Sequence, residues 1–234
     1  LAAFVLTFAE AVLARLGVET DGQREPFGAP ALVHYRAGRG AVLACGLVLA
    51  VDAGHPPGGA TGPTGLTEAA AVLPVAERLA QLLEARGARV VMTRTNADAV
   101  ALTDRPVIAR RSNAHAFLSV HLNAFGDGTN PFVNHGTSTL FFHQPSEPLA
   151  RHVQQRLMTE IGQRDLGIHY QSLAVARPTW YPSILAEGLF LMFPDQEAAM
   201  RTEEWQTRYA RAIADGAEAY FRALGAAVAT GGTP

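Results

Sequence analysis

Leu-Val-Leu-Ala-Val-Asp-Ala-Gly-His, residues 47–55, is a nearly unbroken apolar run that ends in an acid, a glycine and an imidazole. A short run of this kind reads as a strand buried on both faces, which requires a parallel sheet with helices on either side. In open α/β sheets, sites form beyond the carboxyl ends of the strands, which is where this run delivers Asp52 and His55.

Working outward, the loop 54–65 is rich in glycine and proline, and a helix is expected over 68–86. Thr67 caps it, Val72, Val75, Leu79 and Leu82 form its apolar stripe, and Gly87 offers a left-handed stop. Pro74 cannot donate to the Ala70 carbonyl and should kink its early turns. Strands are expected at 89–93, 116–121, 137–142, 172–176 and 183–186, and further helices at 104–113, 147–161 and 203–224. Upstream, 1–16 reads as an amphipathic helix stopped by Gly17, 22–30 as a linker and 31–35 as a strand, while the first quoted strand begins at 41 and is broken by Gly46. The fold class expected is α/β: one domain, with a mixed, mostly parallel central sheet and helices on both faces. Residues 46–226 form that domain, 1–45 an extension packed on it, and 227–234 a frayed tail.

A chain of 234 residues has ample length for one core, and a net charge of −2 points away from nucleic acid and from anionic membrane surfaces. All 19 basic residues are arginine, and their scatter along the chain argues against a phosphate cluster. The one cysteine, Cys45, excludes an intrachain disulfide and a thiolate-rich metal site. No stretch is apolar for long enough to span a membrane.

Three segments besides the first bring candidate ligands to the same kind of place. Gly-Leu-Thr-Glu opens the helix with Glu68, Leu-Ser-Val-His-Leu-Asn-Ala ends a strand with His121, and Pro-Ser-Ile-Leu-Ala-Glu ends another with Glu187. If these strands run parallel, their ends meet at one edge of the sheet. Two imidazoles, one carboxylate and a spare carboxylate match a zinc hydrolase, whose three-ligand site keeps a position open for water. Singly, each has an ordinary alternative: a loop histidine at His55, a satisfied core histidine at His121, a first-turn helix glutamate at Glu68. An unpartnered buried Glu187 is harder to dismiss, because it is costly. His34, His115, His143 and His152 are expected on surfaces or helix faces, and His135 and His169 in solvated loops. Arg177, Trp180 and Tyr181 are candidates either for a substrate groove or for packing.

From about residue 47 to 224 the chain resembles the catalytic domain of zinc-dependent N-acetylmuramoyl-L-alanine amidases, the peptidoglycan amidases of the third amidase family. The resemblance is carried by Asp52, Gly54 and His55; by Gly65, Leu66 and Glu68; by Ser119, His121, Asn123 and Ala124; and by Pro182, Leu185 and Glu187. Thr93, Arg94 and the stretch 105–113 also resemble family segments. The resemblance implies one zinc ion held by His55, Glu68 and His121, with Glu187 as general base, hydrolysing the amide between the lactyl group of N-acetylmuramic acid and L-alanine. Pro56 and Pro57 stand where the family usually has glycine, Ala69 where lysine is common, and Leu189 and Phe193 in place of a glycine and an asparagine.

Some cell-division members carry a long helical insertion after the second histidine motif that blocks the zinc until an activator arrives. The stretch 125–135 is too short for a helix with two connections, so an uncovered site, no activator and a monomer are expected. Peptidoglycan is the expected partner and an extracytoplasmic location follows from it, with no signal in this chain. A zinc peptidase or other amide hydrolase with the same ligands, and a non-catalytic wall-binding domain, are the alternatives.

Overall fold

The computed structural model describes residues 46–125, 129–130 and 132–229. The helix, linker and strand expected before Gly46 therefore lie outside the described residues, as do His34, Cys45 and residues 230–234.

One sheet organises the described residues. Its strands are β1 (Val48–Ala53), β2 (Arg89–Met92), β3 (Ala116–Asn123), β4 (Thr137–Phe141), β5 (Asp165–Tyr170) and β6 (Ser183–Phe190), in the order β2-β1-β3-β6-β4-β5. The first four in that order run parallel, β4 lies antiparallel to β6, and β4 and β5 are parallel again. The helices are α1 (Glu68–Ala85), α2 (Asp104–Arg111), α3 (Glu147–Ile161), α4 (Pro194–Met200) and α5 (Glu203–Ala229). The α/β class, the mostly parallel mixed sheet and the cover on both faces agree with the sequence.

Side-chain alternation divides the core in two. Leu49, Val51, Leu118, Val120, Ile184 and Ala186 face the larger half, which α1, α3 and α5 close with residues such as Leu79, Leu149 and Tyr209. Ala50, Phe117 and Leu185 face a smaller half, closed by Ala109 of α2 and by Val175 and Tyr181. Every residue of β1 is buried, as its sequence requires.

Helix α1 runs unbroken through Pro74. A proline inside a helix costs about 3 kcal/mol. Burying Val72, Val75, Leu79 and Leu83 contributes roughly 1.5–3 kcal/mol each, enough to outweigh it. Leu83, rather than the expected Leu82, completes the buried stripe. Thr67 accepts from the Ala70 amide, and Gly87, at φ 93°, ends the helix.

Several expectations need correction. Residues 172–176 are not a strand: Ala176 N and Arg177 N both donate to Leu173 O in a turn. Leu173 and Val175 are apolar because they pack into the smaller core, not because they pair. The strand lies just before, as β5, whose Leu166 and Ile168 alternate with more polar neighbours. Helix α4 was not expected, since its segment has almost no apolar periodicity. His115 is buried rather than on a surface, its Nδ1 accepting from Val48 N at 2.9 Å. Tyr181 is a packing residue, stacked 5.9 Å from Phe117 and donating to Pro106 O. Helix α5 runs to Ala229, and the rest of the tail expected to fray lies outside the described residues.

Candidate metal centre

The chain leaves β1 through Gly54, whose amide donates to Val120 O at 3.0 Å, and turns at His55 with φ 54°. A non-glycine residue in the left-handed region persists only when its surroundings fix it. Here two buried arginines do so. Arg105 donates to Ala53 O, His55 O and Pro56 O, and its Nη1 meets Asp52 Oδ1 at 2.7 Å. Arg94 donates to Ala53 O, Gly54 O and Ala69 O. Asp52 also accepts from the hydroxyls of Thr93 and Ser119, so its charge is fully partnered. Thus the first acid of the quoted run serves the scaffold, and the imidazole is what it presents.

Glu68, the first residue of α1, is buried between the two imidazoles. Its Oε2 lies 3.3 Å from His55 Nε2 and accepts from Ala60 N, while Oε1 lies 3.0 Å from His121 Nδ1 and accepts from Leu122 N. Burial alone would raise this carboxyl; the imidazoles of His121 and His55 more than reverse that and hold it well below the usual carboxylate range. The hydrogen bond to Glu68 in turn lifts His55 above its ordinary value, against the effect of burial. One ligand atom from each of His55, Glu68 and His121 lies within 4.8 Å of the others, so the three could hold a metal ion.

The donor set tests that possibility. His55 Nδ1 sits 3.1 Å from Pro57 O, which fixes the proton on that nitrogen and aims the Nε2 lone pair at the Glu68 carboxylate. Two lone pairs facing each other at 3.3 Å repel unless a proton or a cation lies between them. Ligands around a tetrahedral zinc at bonds of roughly 2.1 Å are about 3.4 Å apart. The two imidazoles meet different oxygens of Glu68, at 3.3 and 3.0 Å, and one ligand atom from each residue lies within 4.8 Å of the others, a spread that closes to the zinc spacing with small side-chain rotations.

Glu187 stands beside this cluster. It is directly opposite His121 across the β3–β6 pairing and opposite Ser138 across β6–β4, so it projects from the same face of the sheet as His121. Its Oε2 is enclosed and has no hydrogen-bond partner among the described residues. Burial, reinforced by the nearby Glu68 charge, pushes the Glu187 carboxyl well above its ordinary value. All four residues singled out in the sequence therefore converge on one edge of the sheet.

The family model described as N-acetylmuramoyl-L-alanine amidase matches residues 49–219. The chain belongs to this family. Among curated relatives, N-acetylmuramoyl-L-alanine amidase LytC of Bacillus subtilis is 31% identical over 183 residues, covering 76% of this chain and 36% of LytC. The chain thus spans about a third of that relative's length. The amidase AmiA of Escherichia coli is 26% identical over 219 residues, covering 74% of this chain and 76% of AmiA. Among solved structures, an N-acetylmuramoyl-L-alanine amidase from Clostridium difficile 630 superposes with TM-score 0.70 at 30% identity, over 75% of this chain and 97% of that one.

The amidase fold also depends on residues that the sequence alone did not single out. Tyr209 of α5 reaches under the β3 and β6 ends, and Gly188 leaves room for its ring, since a Cβ there would lie 2.6 Å from it. Glu197 of α4 accepts from Thr64 N and Leu66 N, each at 2.9 Å, and so holds the turn that precedes Glu68. No sequence signal pointed to the latter, since neither α4 nor the burial of Glu197 is legible in its segment. Of the remaining candidates, Trp180 is partly exposed beneath the Arg110 guanidinium at 4.3 Å, and Arg177 is exposed, its carbonyl beside His143 Nε2. Neither residue joins the cluster.

Proposed function

We propose that this chain is a zinc-dependent hydrolase of the amide between the lactyl group of N-acetylmuramic acid and L-alanine in peptidoglycan. The observation that carries the reading is the convergence of His55, Glu68 and His121 beside Glu187, whose enclosed Oε2 has no hydrogen-bond partner among the described residues. His55 Nε2, a carboxylate oxygen of Glu68 and the His121 ring would hold the ion, with the Pro57 carbonyl and the Leu122 and Ala60 amides orienting them. A bound zinc supplies a Lewis acid that polarises a carbonyl and acidifies water.

The remaining work falls to Glu187. A carboxyl raised above its ordinary value is a stronger base than a free glutamate once ionised. It takes a proton from water as the water oxygen bonds to the carbonyl carbon, and returns it to the nitrogen as the C–N bond breaks. The products are a lactyl carboxylate and a stem peptide with a free alanine amine.

Mass analysis of purified peptidoglycan digested with the zinc-loaded protein tests this. Intact stem peptides beginning with alanine are expected. Cuts between amino acids would instead favour a peptidase, and sedimentation with the wall without product would favour a binding domain. The same reading makes the protein an extracytoplasmic monomer that needs no activator. In support of the last point, the described residues of 125–135 include a turn at 132–133 and none in a helix. Cleavage by the purified chain alone, eluting as a monomer, is the matching test.

A further inference from the structure

The strands that carry His121 and Glu187 are tied together by a side chain from the opposite layer. The Tyr209 hydroxyl donates to Ala186 O at 2.8 Å, and His121 O at 3.0 Å is a second acceptor for the same hydrogen. One acceptor belongs to the candidate ligand itself, and the other to the residue immediately before the candidate base. The contact falls where the β3–β6 register shifts, between His121 and Asn123, so the regular ladder is weakest there. Tyr209 is wholly buried, packed against Trp205 at 5.2 Å, which fixes where its hydroxyl can reach. Gly188 completes the device: any side chain there would push the ring away from both carbonyls.

We infer that Tyr209 is a positioning residue for the hydrolysis, setting the spacing between the His121 and Glu187 backbones through its hydroxyl. It touches neither substrate nor metal and acts through the two strands. A general base must be held within a fraction of an ångström of the water it deprotonates, and a misplacement of about 1 Å costs on the order of 100-fold in rate. The inference rests on the assignment of Glu187 as base.

Tyr209→Phe keeps the ring and removes the hydroxyl. In the zinc-loaded protein acting on soluble muropeptide, kcat is expected to fall by about 10- to 100-fold with KM unchanged. In the metal-free protein, hydrogen exchange at the ends of β3 and β6 should quicken. Tyr220→Phe, which alters another buried tyrosine farther along α5, should change neither. If Tyr209→Phe keeps kcat within twofold of wild type, or if exchange at those strand ends is unchanged, the inference is overturned. Glu187→Gln separates the two assignments. Activity in that variant removes the base and this inference with it, whereas an inactive Glu187→Gln beside a fully active Tyr209→Phe removes this inference alone.

Discussion

Gly54 and His121 touch so closely that a Cβ on Gly54 would lie 2.4 Å from the imidazole Cε1 and Nε2 atoms. Real Cβ atoms do not approach that near, so Gly54→Ala must rotate the ring or move the loop that carries His55. Outer residues that orient ligands are typically worth 10- to 100-fold in metal affinity. Zinc affinity of Gly54→Ala should fall by about that factor, measured by competition with a chromophoric chelator. Circular dichroism should match wild type. Unchanged affinity would show that the ring has freedom the close contact denies it.

The Asp52–Arg105 pair makes a different prediction. Both side chains are 1% exposed; Asp52 accepts from Arg105 and from the Thr93 and Ser119 hydroxyls, and Arg105 donates otherwise to backbone carbonyls. Removing one member of such a pair leaves an uncompensated buried charge, at about 3–5 kcal/mol. Arg105→Ala should lose that much in urea denaturation, and should also release the His55 and Pro56 carbonyls. Arg105→Lys should recover only part, because an ammonium cannot reproduce the guanidinium that spans Asp52 and four backbone carbonyls. A loss below about 1 kcal/mol for the alanine variant would contradict the clamp.

The contrast between these residues shows what a sequence makes legible. The convergence of His55, Glu68, His121 and Glu187 could be read because each lies toward the carboxyl end of a strand or opens a helix, and topology brings such positions together. Asp52 could be seen, but its role as an anchor rather than a ligand became plain only with Arg105 and Ser119 around it. Tyr209 sits in an amphipathic helix where any large side chain would satisfy the pattern, and its reach to two carbonyls is a property of three-dimensional packing. The strand misread at 172–176 failed for the converse reason. Its apolar residues are buried by turns, and apolarity alone does not say which backbone groups pair.

Metal removal should reverse the pH dependence of stability near neutrality. In the metal-free protein the His55 pKa is raised above its ordinary 6.5 by Glu68. A group raised on folding stabilises below its unfolded pKa, and the contribution is lost as pH rises through the folded value. Thermal melts in chelator should therefore decline as pH rises above 6.5. With zinc at 100 times its dissociation constant, about 2.7 kcal/mol of stability should return at neutral pH and fade on acidification, because protons compete for the same nitrogens. Parallel declines with and without zinc would remove the metal from this cluster.

Glu187 sets activity against stability. Its Oε2 is enclosed without a partner among the described residues, and its pKa is raised by burial and by the Glu68 charge. The sign follows as for His55: the neutral acid suits the folded protein, and the benefit is lost as pH climbs through the raised pKa. Glutamine keeps the shape and removes the charge. Metal-free Glu187→Gln should thus be more stable than wild type at neutral pH, by about 1–3 kcal/mol for one enclosed unsatisfied oxygen. The difference should vanish toward pH values where wild-type Glu187 is protonated in both states. Wall hydrolysis should be lost in the same variant while zinc binding is kept, since Glu187 is outside the three-residue cluster. A glutamine variant less stable than wild type at neutral pH would mean that the carboxylate has a partner in solution, and with it the case for a base held ready without one would fail.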